Sequence, residues 1–280
     1  MIEIFAPAKI NLALHVRAKR DDGYHELDTI FAFANIGDKI SGQLSSKLSM
    51  EVHGPFGPEL MQITSTEDNL IMRAARKLRE KYNISLGADI ILEKALPIGA
   101  GIGGGSADAA AAIKLLVKIW NIDAKDTDLL DVGASLGADI PICLKGQACR
   151  ATGIGDIFHD VDISGLHEIH ILLVNPLIHL ATQHVFANWD GKDAGALIYG
   201  SAYENAQRGC NNLTPAAIKL CPIINDILNS LNNRDNILTR MSGSGATCFG
   251  LYHDFESCDA ARIMMEQKFP NMWIRAGKII

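Results

Sequence analysis

Leu96-Pro97-Ile98-Gly99-Ala100-Gly101-Ile102-Gly103-Gly104-Gly105-Ser106-Ala107-Asp108-Ala109-Ala110-Ala111-Ala112 decides how the rest of the chain is read. Five of the seven residues from 99 to 105 are glycine, so small side chains leave a run of backbone N–H groups able to turn toward one ligand. Ser106, Asp108 and the alanines then open a helix that Ile113, Leu115, Leu116, Val117 and Ile119 continue. A ligand held there meets a helix N-terminus, where unpaired N–H groups and the macrodipole favour an anion such as a phosphate chain.

Three readings of the loop compete. Gly99 and Gly104 have Walker A spacing, but Gly105-Ser106 follows where that loop needs Lys-Ser or Lys-Thr, which excludes it. Residues 99 to 104 match G-x-G-x-x-G after an expected strand at 88–92. A dinucleotide fold would then need a second strand ending in an acidic residue soon after the helix, whereas 123–136 reads as loop and more helix. The third reading is a glycine-rich turn with no ligand.

With 280 residues, 48% hydrophobic, the chain can build one large domain or two lobes. A net charge of -6 with no Lys/Arg cluster argues against nucleic-acid binding. The six cysteines form no C-x-x-C pair and have no His partners at metal-site spacing, as expected for a reduced, cytoplasmic protein. Apolar runs fall short of a membrane span, and Glu3 and Lys9 interrupt any leader-like stretch.

Residues 2–6 and 10–16 read as two strands, or as one strand broken near Pro7-Ala8-Lys9. Ile10, Leu12, Leu14 and Val16 share one face, which turns Lys9 and Asn11 to the other. Lys9 is then either solvated surface or a site residue. Asp22-Gly23 marks a turn, and Tyr24-His25 at its exit is either decoration or a stacking platform for a planar group. Residues 29–36 and 38–40 are β-like, 54–58 is a loop, and 69–80 has helical spacing with Asp68 or Asn69 as cap. Another helix is expected over 127–136, where Pro141 blocks its continuation and holds Asp139 at a chain reversal. That carboxylate is either a turn former or functional. Strands are expected over 143–158 with a turn at 153–156, and a buried strand at 169–176 opens a second lobe. There follow a short helix over 182–189 carrying Phe186, helices near 211–213 and 215–231, a small-residue loop from Met241 into a strand, a helix over 257–268 and a strand at 273–276. The expected division is 1–158 and 159–280.

Taken together, these segments resemble the GHMP kinase superfamily. Its marks are an N-terminal Pro-x-Lys strand motif, a P-x-x-x-G-(L/I)-G-G-G-S loop and a late G-S-G-A loop, and they occur here in order at 7–16, 97–111 and 241–248. Pro7-Ala8-Lys9-Ile10-Asn11-Leu12 followed by Asp22-Gly23-Tyr24-His25-Glu26-Leu27 is similar to one branch, which acts on a cytidine-diphosphate-linked methylerythritol. Galactokinases, mevalonate kinases and homoserine kinases carry different motifs at this place.

The resemblance implies an α+β fold with two lobes, the N-terminal one like the second domain of ribosomal protein S5 and the C-terminal one ferredoxin-like, with ATP and acceptor meeting in the cleft. It implies transfer of the ATP γ-phosphoryl group to the acceptor's 2-hydroxyl, in non-mevalonate isoprenoid synthesis. Lys9 and Asp139 match the family's catalytic positions. Pro97, Gly99, Ala100, Gly101, Ile102, Gly103, Gly104, Gly105, Ser106 and Ala107 match the phosphate loop, and Asn69 and Lys94 lie where adenine contacts are expected. Tyr24, His25 and Phe186 are assigned to cytosine, Asn11 to the acceptor's polyol or phosphate side, and Ser244 and Gly245 to closing that side. Mg²⁺ is expected to arrive with ATP through phosphate oxygens, with few protein ligands. No nucleic acid, membrane or obligate protein partner is implied. Ala107 replaces a common Ser, and Asn211-Asn212-Leu213-Thr214 stands where N-D-L-E is usual, so those side chains receive no role. The alternatives are a GHMP kinase or decarboxylase for another small alcohol, and a nucleotide-binding sensor on the same fold.

Overall fold

The computed structural model describes residues 1–232 and 235–280. Residues 1–8, 37–98 and 103–146 form one compact unit, and residues 9–36, 99–102 and 147–280 another.

In the first unit lie the start of β1 (Ile2–Lys19), the latter part of β2 (His25–Ser45), β3 (Leu48–His53), α1 (Gly57–Ile63), α2 (Leu70–Tyr82), β4 (Gly87–Glu93), α3 (Gly104–Ile119), α4 (Asp126–Ala134) and α5 (Ile140–Lys145). β3 runs parallel to β4, from Leu48 opposite Ala88 to His53 opposite Glu93, and β4 runs antiparallel to β2. A parallel pair needs a crossover, and α1 and α2 form it. Of the expected stripe Leu70, Ala74, Ala75 and Leu78, α2 buries the last three and leaves Leu70 half-buried, with Ile71 and Met72 buried in its place, and Asn69 caps the helix by accepting the Ile71 N–H at 2.9 Å. α3 packs against α2, α5 and β4, and its buried alanines let those neighbours approach closely. α3 is therefore the buried centre of this unit, which fixes its first turn.

The second unit holds the rest of β1 and β2, then β5 (Cys149–Gly153), β6 (Ile157–His159), β7 (His170–Asn175), α6 (Thr182–Ala187), α7 (Ala202–Arg208), α8 (Thr214–Leu220), α9 (Ile223–Leu231), β8 (Asn236–Met241), β9 (Cys248–Tyr252), α10 (Phe255–Lys268) and β10 (Trp273–Lys278). β2 pairs antiparallel with β5, and β5 with β6. A separate antiparallel sheet has the order β10-β7-β9-β8, the arrangement of a ferredoxin-like split βαβ fold. β7 is buried along its whole length, as its unbroken apolar run requires of an inner strand. Leu172, Val174, Ile224, Ile227, Cys248, Tyr252 and Met265 belong to the core beside it.

Several local expectations change. β1 is continuous through Pro7; its sheet partner is β2, and an edge strand tolerates a proline without losing a ladder bond. Likewise 29–36 and 38–40 join within β2. Pro141 starts a helix instead of only ending one: it lies in the first turn of α5, where a missing N–H costs nothing. Residues 140–145 are consequently helical, and strand begins only at Cys149. Among the described residues, no helix is long and apolar enough to cross a membrane.

Candidate functional site

Gly99, Gly101 and Gly103 adopt φ of 63, 74 and 65°, the left-handed region that glycine enters without a Cβ penalty. Close approach imposes a second demand on Gly101, because a Cβ there would lie 2.5 Å from Gly245 O and 2.8 Å from Ser242 O. The carbonyls that follow Gly99 are tied down one by one. Ala100 O accepts the Thr247 hydroxyl at 2.6 Å and the Thr247 N–H at 3.2 Å, Gly101 O the Ser242 hydroxyl at 3.1 Å, and Ile102 O the Lys9 N–H at 2.9 Å. Each planar peptide whose carbonyl is fixed has its amide direction fixed too. Among the described residues, no N–H from Gly99 to Ser106 donates a hydrogen bond inside the protein. An oriented run of unsatisfied donors leading into the N-terminus of α3 is chemically an anion cradle.

The segment 241–247, in the second unit, is the brace for this stretch. Ser242 N–H donates to Thr247 O at 2.9 Å, Gly245 N–H to Ser242 O at 3.0 Å, and Asn11 N–H to the Ser242 hydroxyl at 3.1 Å. Asn211 Nδ2 holds Met241 O at 2.7 Å and Gly243 O at 2.8 Å. The sequence reading gave Asn211 no role, and the structure makes it a buried scaffold residue for this loop. Ser244 is buried and shares a hydrogen bond with Thr182 at 2.9 Å. His179 was also missed: its Nδ1 lies 2.6 Å from where a Gly99 Cβ would stand. Asn211 lies in the N-D-L-E-like segment that was the available signal, whereas no local sequence signal marks His179, whose contact is distant in the chain.

Lys9 is not solvated surface. It is 5% exposed on β1, with its ammonium 4.3 Å from the Phe31 ring centroid, a cation–π contact. Asn11 is also buried, so both faces of this stretch are covered, and its Nδ2 donates to Thr29 Oγ1 at 2.9 Å. Of the aromatic residues, His25 and Phe186 come together, with ring centroids 5.0 Å apart, whereas Tyr24 is 60% exposed at the turn. Trp189 joins them edge-on to His25 at 5.6 Å, and its buried indole N–H has no hydrogen-bond partner among the described residues. Its position three residues after Phe186 was the available signal. Burial, helped by the Lys19 charge, pushes the His25 imidazole below its ordinary value, so the ring is neutral at pH 7.

In the first unit, Asn69 uses Oδ1 as a helix cap, and its Nδ2 makes no hydrogen bond among the described residues. Lys94 differs from the expected adenine contact. Its ammonium is buried between Asp38 Oδ2 at 2.6 Å and Asp108 Oδ2 at 2.7 Å, its N–H donates to His53 O, and its carbonyl accepts from Phe56. Asp139 is partly exposed at the N-cap of α5, and its side chain makes no capping hydrogen bond to that helix. A row of free amides at a helix N-terminus is what a phosphoryl-transfer enzyme needs to hold a nucleotide's phosphates.

The class is fixed by two family models: "GHMP kinases N terminal domain" matches residues 69–147 and "GHMP kinases C terminal" matches 194–271. The 4-diphosphocytidyl-2-C-methyl-D-erythritol kinase of Rhizorhabdus wittichii is 44% identical over 96% of this chain and 91% of its own, and that of Paramagnetospirillum magneticum is 40% identical over 99% and 98%. A crystal structure of 4-(cytidine 5'-diphospho)-2C-methyl-D-erythritol kinase superposes with a TM-score of 0.84 at 28% identity, covering 99% of both chains. The chain belongs to the 4-diphosphocytidyl-2-C-methyl-D-erythritol kinase family of GHMP kinases.

Proposed function

We propose that this chain transfers the γ-phosphoryl group of ATP to the 2-hydroxyl of 4-diphosphocytidyl-2-C-methyl-D-erythritol, giving the 2-phosphate and ADP. The observation that carries the reading is the row of uncommitted amides from Gly99 to Ser106 in a chain 44% identical to a kinase of that name. Those amides cradle the β- and γ-phosphates. Asp139 accepts or orients the proton of the acceptor hydroxyl, and Lys9 stabilises the developing alkoxide. Phosphoryl transfer has a loose transition state, so placement and charge compensation supply most of the acceleration and a weakly basic carboxylate suffices.

His25 and Phe186 stack on cytosine, and a neutral imidazole suits hydrogen bonding to an uncharged base edge. Tyr24 extends the platform from its exposed turn, Asn11 binds the polyol or phosphate side, and Ser244-Gly245 closes it. Asn69 Nδ2 is the donor we assign to adenine; the committed groups of Lys94 favour a supporting role for that residue. Mg²⁺ enters with ATP and neutralises phosphate charge. It would be held mainly through phosphate oxygens with few protein ligands, and the Ser106 hydroxyl is a donor the loop could offer it. We take 1–158 as the ATP-binding lobe and 159–280 as the C-terminal lobe, a division supported by family models that end at 147 and resume at 194. The enzyme works in the cytoplasm on small molecules, without an obligate protein partner.

Measuring ADP release with and without the cytidylyl acceptor tests this. Release that depends on the acceptor is expected. Equal release without it, or preference for another small alcohol, would overturn the assignment.

A further inference from the structure

A buried charge cluster supports the start of α3. Lys94 Nζ lies 2.6 Å from Asp38 Oδ2 and 2.7 Å from Asp108 Oδ2, with all three side chains at most 5% exposed. A Cβ on Gly104 would stand 3.1 Å from the same ammonium, which places the cluster directly against the loop. Asp38 Oδ1 accepts the N–H groups of Ala95 at 2.6 Å and Leu96 at 2.8 Å, so Asp38 also fixes the chain leading into the loop. Asp108 Oδ1 is buried with no hydrogen-bond partner among the described residues.

Two carboxylates face one ammonium, so full ionisation leaves one uncompensated negative charge in a buried place one turn from an anion cradle. The charged groups acting on Asp108 are Lys94, from the segment after β4, and Asp38, from β2. Burial and the adjoining Asp38 push the Asp108 carboxyl up to about 7 despite Lys94, while both carboxylates hold Lys94 above its ordinary value.

We propose that Lys94, Asp38 and Asp108 are positioning residues for the phosphate loop, and that a phosphate chain settling on the amides of Gly103–Ser106 draws one proton from solvent onto the Asp108 carboxyl. The inference rests on the reading of the loop as the ATP phosphate site. An arriving anion disfavours the ionised carboxyl, and by reciprocity the protonated carboxyl favours the anion. Affinity is therefore full below the free carboxyl's pKa and falls as pH rises through it, with proton uptake in that window.

The test titrates ADP into the full-length protein by calorimetry at pH 7.5, in buffers of different ionisation enthalpy, and repeats the titration from pH 6.5 to 8.5. Asp108→Asn keeps the shape and removes the titration, so it reports the nucleotide's own protons. Wild type is expected to take up a further fraction of a proton, and its affinity to fall about three- to tenfold more than the variant's over that range. Equal uptake in both proteins overturns the inference. Should the variant not fold, infrared difference spectra of wild type with and without ADP decide: a gained protonated-carboxyl band supports the proposal and its absence sinks it. Failure of ADP to bind would overturn the phosphate-loop reading together with this inference. Normal proton uptake without turnover of the cytidylyl acceptor would overturn the assigned reaction alone.

Discussion

Segments 99–106 and 241–247 are both built mainly of small residues, yet they use their backbones in opposite ways. In the first, carbonyls are fixed and amides are left without internal acceptors. In the second, Ser242, Gly245 and Thr247 commit their N–H groups within the protein, and the Ser242 and Thr247 hydroxyls hold the first loop's carbonyls. One loop leaves its amides open and the other braces it. The presence of glycine does not by itself tell the two roles apart, because it licenses close approach and positive φ in both.

The comparison can be broken at four points. Binding by the first loop should be separable from chemistry, so Asp139→Asn is expected to lower kcat by at least ~10² with little change in ATP affinity, read by steady-state kinetics. Near-normal turnover in the folded variant removes Asp139 from its role. Gly101→Ala attacks both loops at their contact, adding a Cβ to a left-handed residue 2.5 Å from Gly245 O. A loss of about 2–4 kcal/mol in urea unfolding and at least tenfold weaker ADP binding are expected.

Thr247→Val tests the brace alone. It strips one donor from Ala100 O and leaves the Asn175 Nδ2, now 2.8 Å from Thr247 Oγ1, without an acceptor. About 1–3 kcal/mol of stability should be lost, with a several-fold rise in ATP KM. A purely structural brace would lower stability and leave KM unmoved. The smallest effect is expected from Gly105→Ala, whose Cβ would meet nothing closer than Leu70 at 3.8 Å. It should stabilise the fold by about 0.4–1 kcal/mol through the unfolded state, and raise ATP KM ~3-fold by placing a methyl on the open side of the cradle. Opposite signs in melting and KM would mark that side as the ligand's.

Local chemistry explains which elements were legible beforehand. α2, α3, β4, β7 and α10 announce themselves through periodicity, caps or unbroken apolar runs. α5 did not, because Pro141 reads as a breaker until its place in a first turn is known. α7 carried a signal that was passed over: Ser201 and Glu204 form a capping box, the S-x-x-E pattern that opens helices. Among site residues, Lys94 stood in the right stretch but acts as a buried ion-pair partner, since Asp38 and Asp108, 56 and 14 residues away, converge on it.

By itself the sequence determined the family, the phosphate-loop helix and the residue types available for catalysis, because motif spacing and hydrophobic period are local properties of the chain. Only the tertiary structure decided that Lys9 is buried, that Asn211 and Thr247 hold the glycine segments, and that Asp108 shares a cation with Asp38. Those facts depend on which distant groups meet and on how much water the meeting excludes, and burial sets both hydrogen-bond satisfaction and charge.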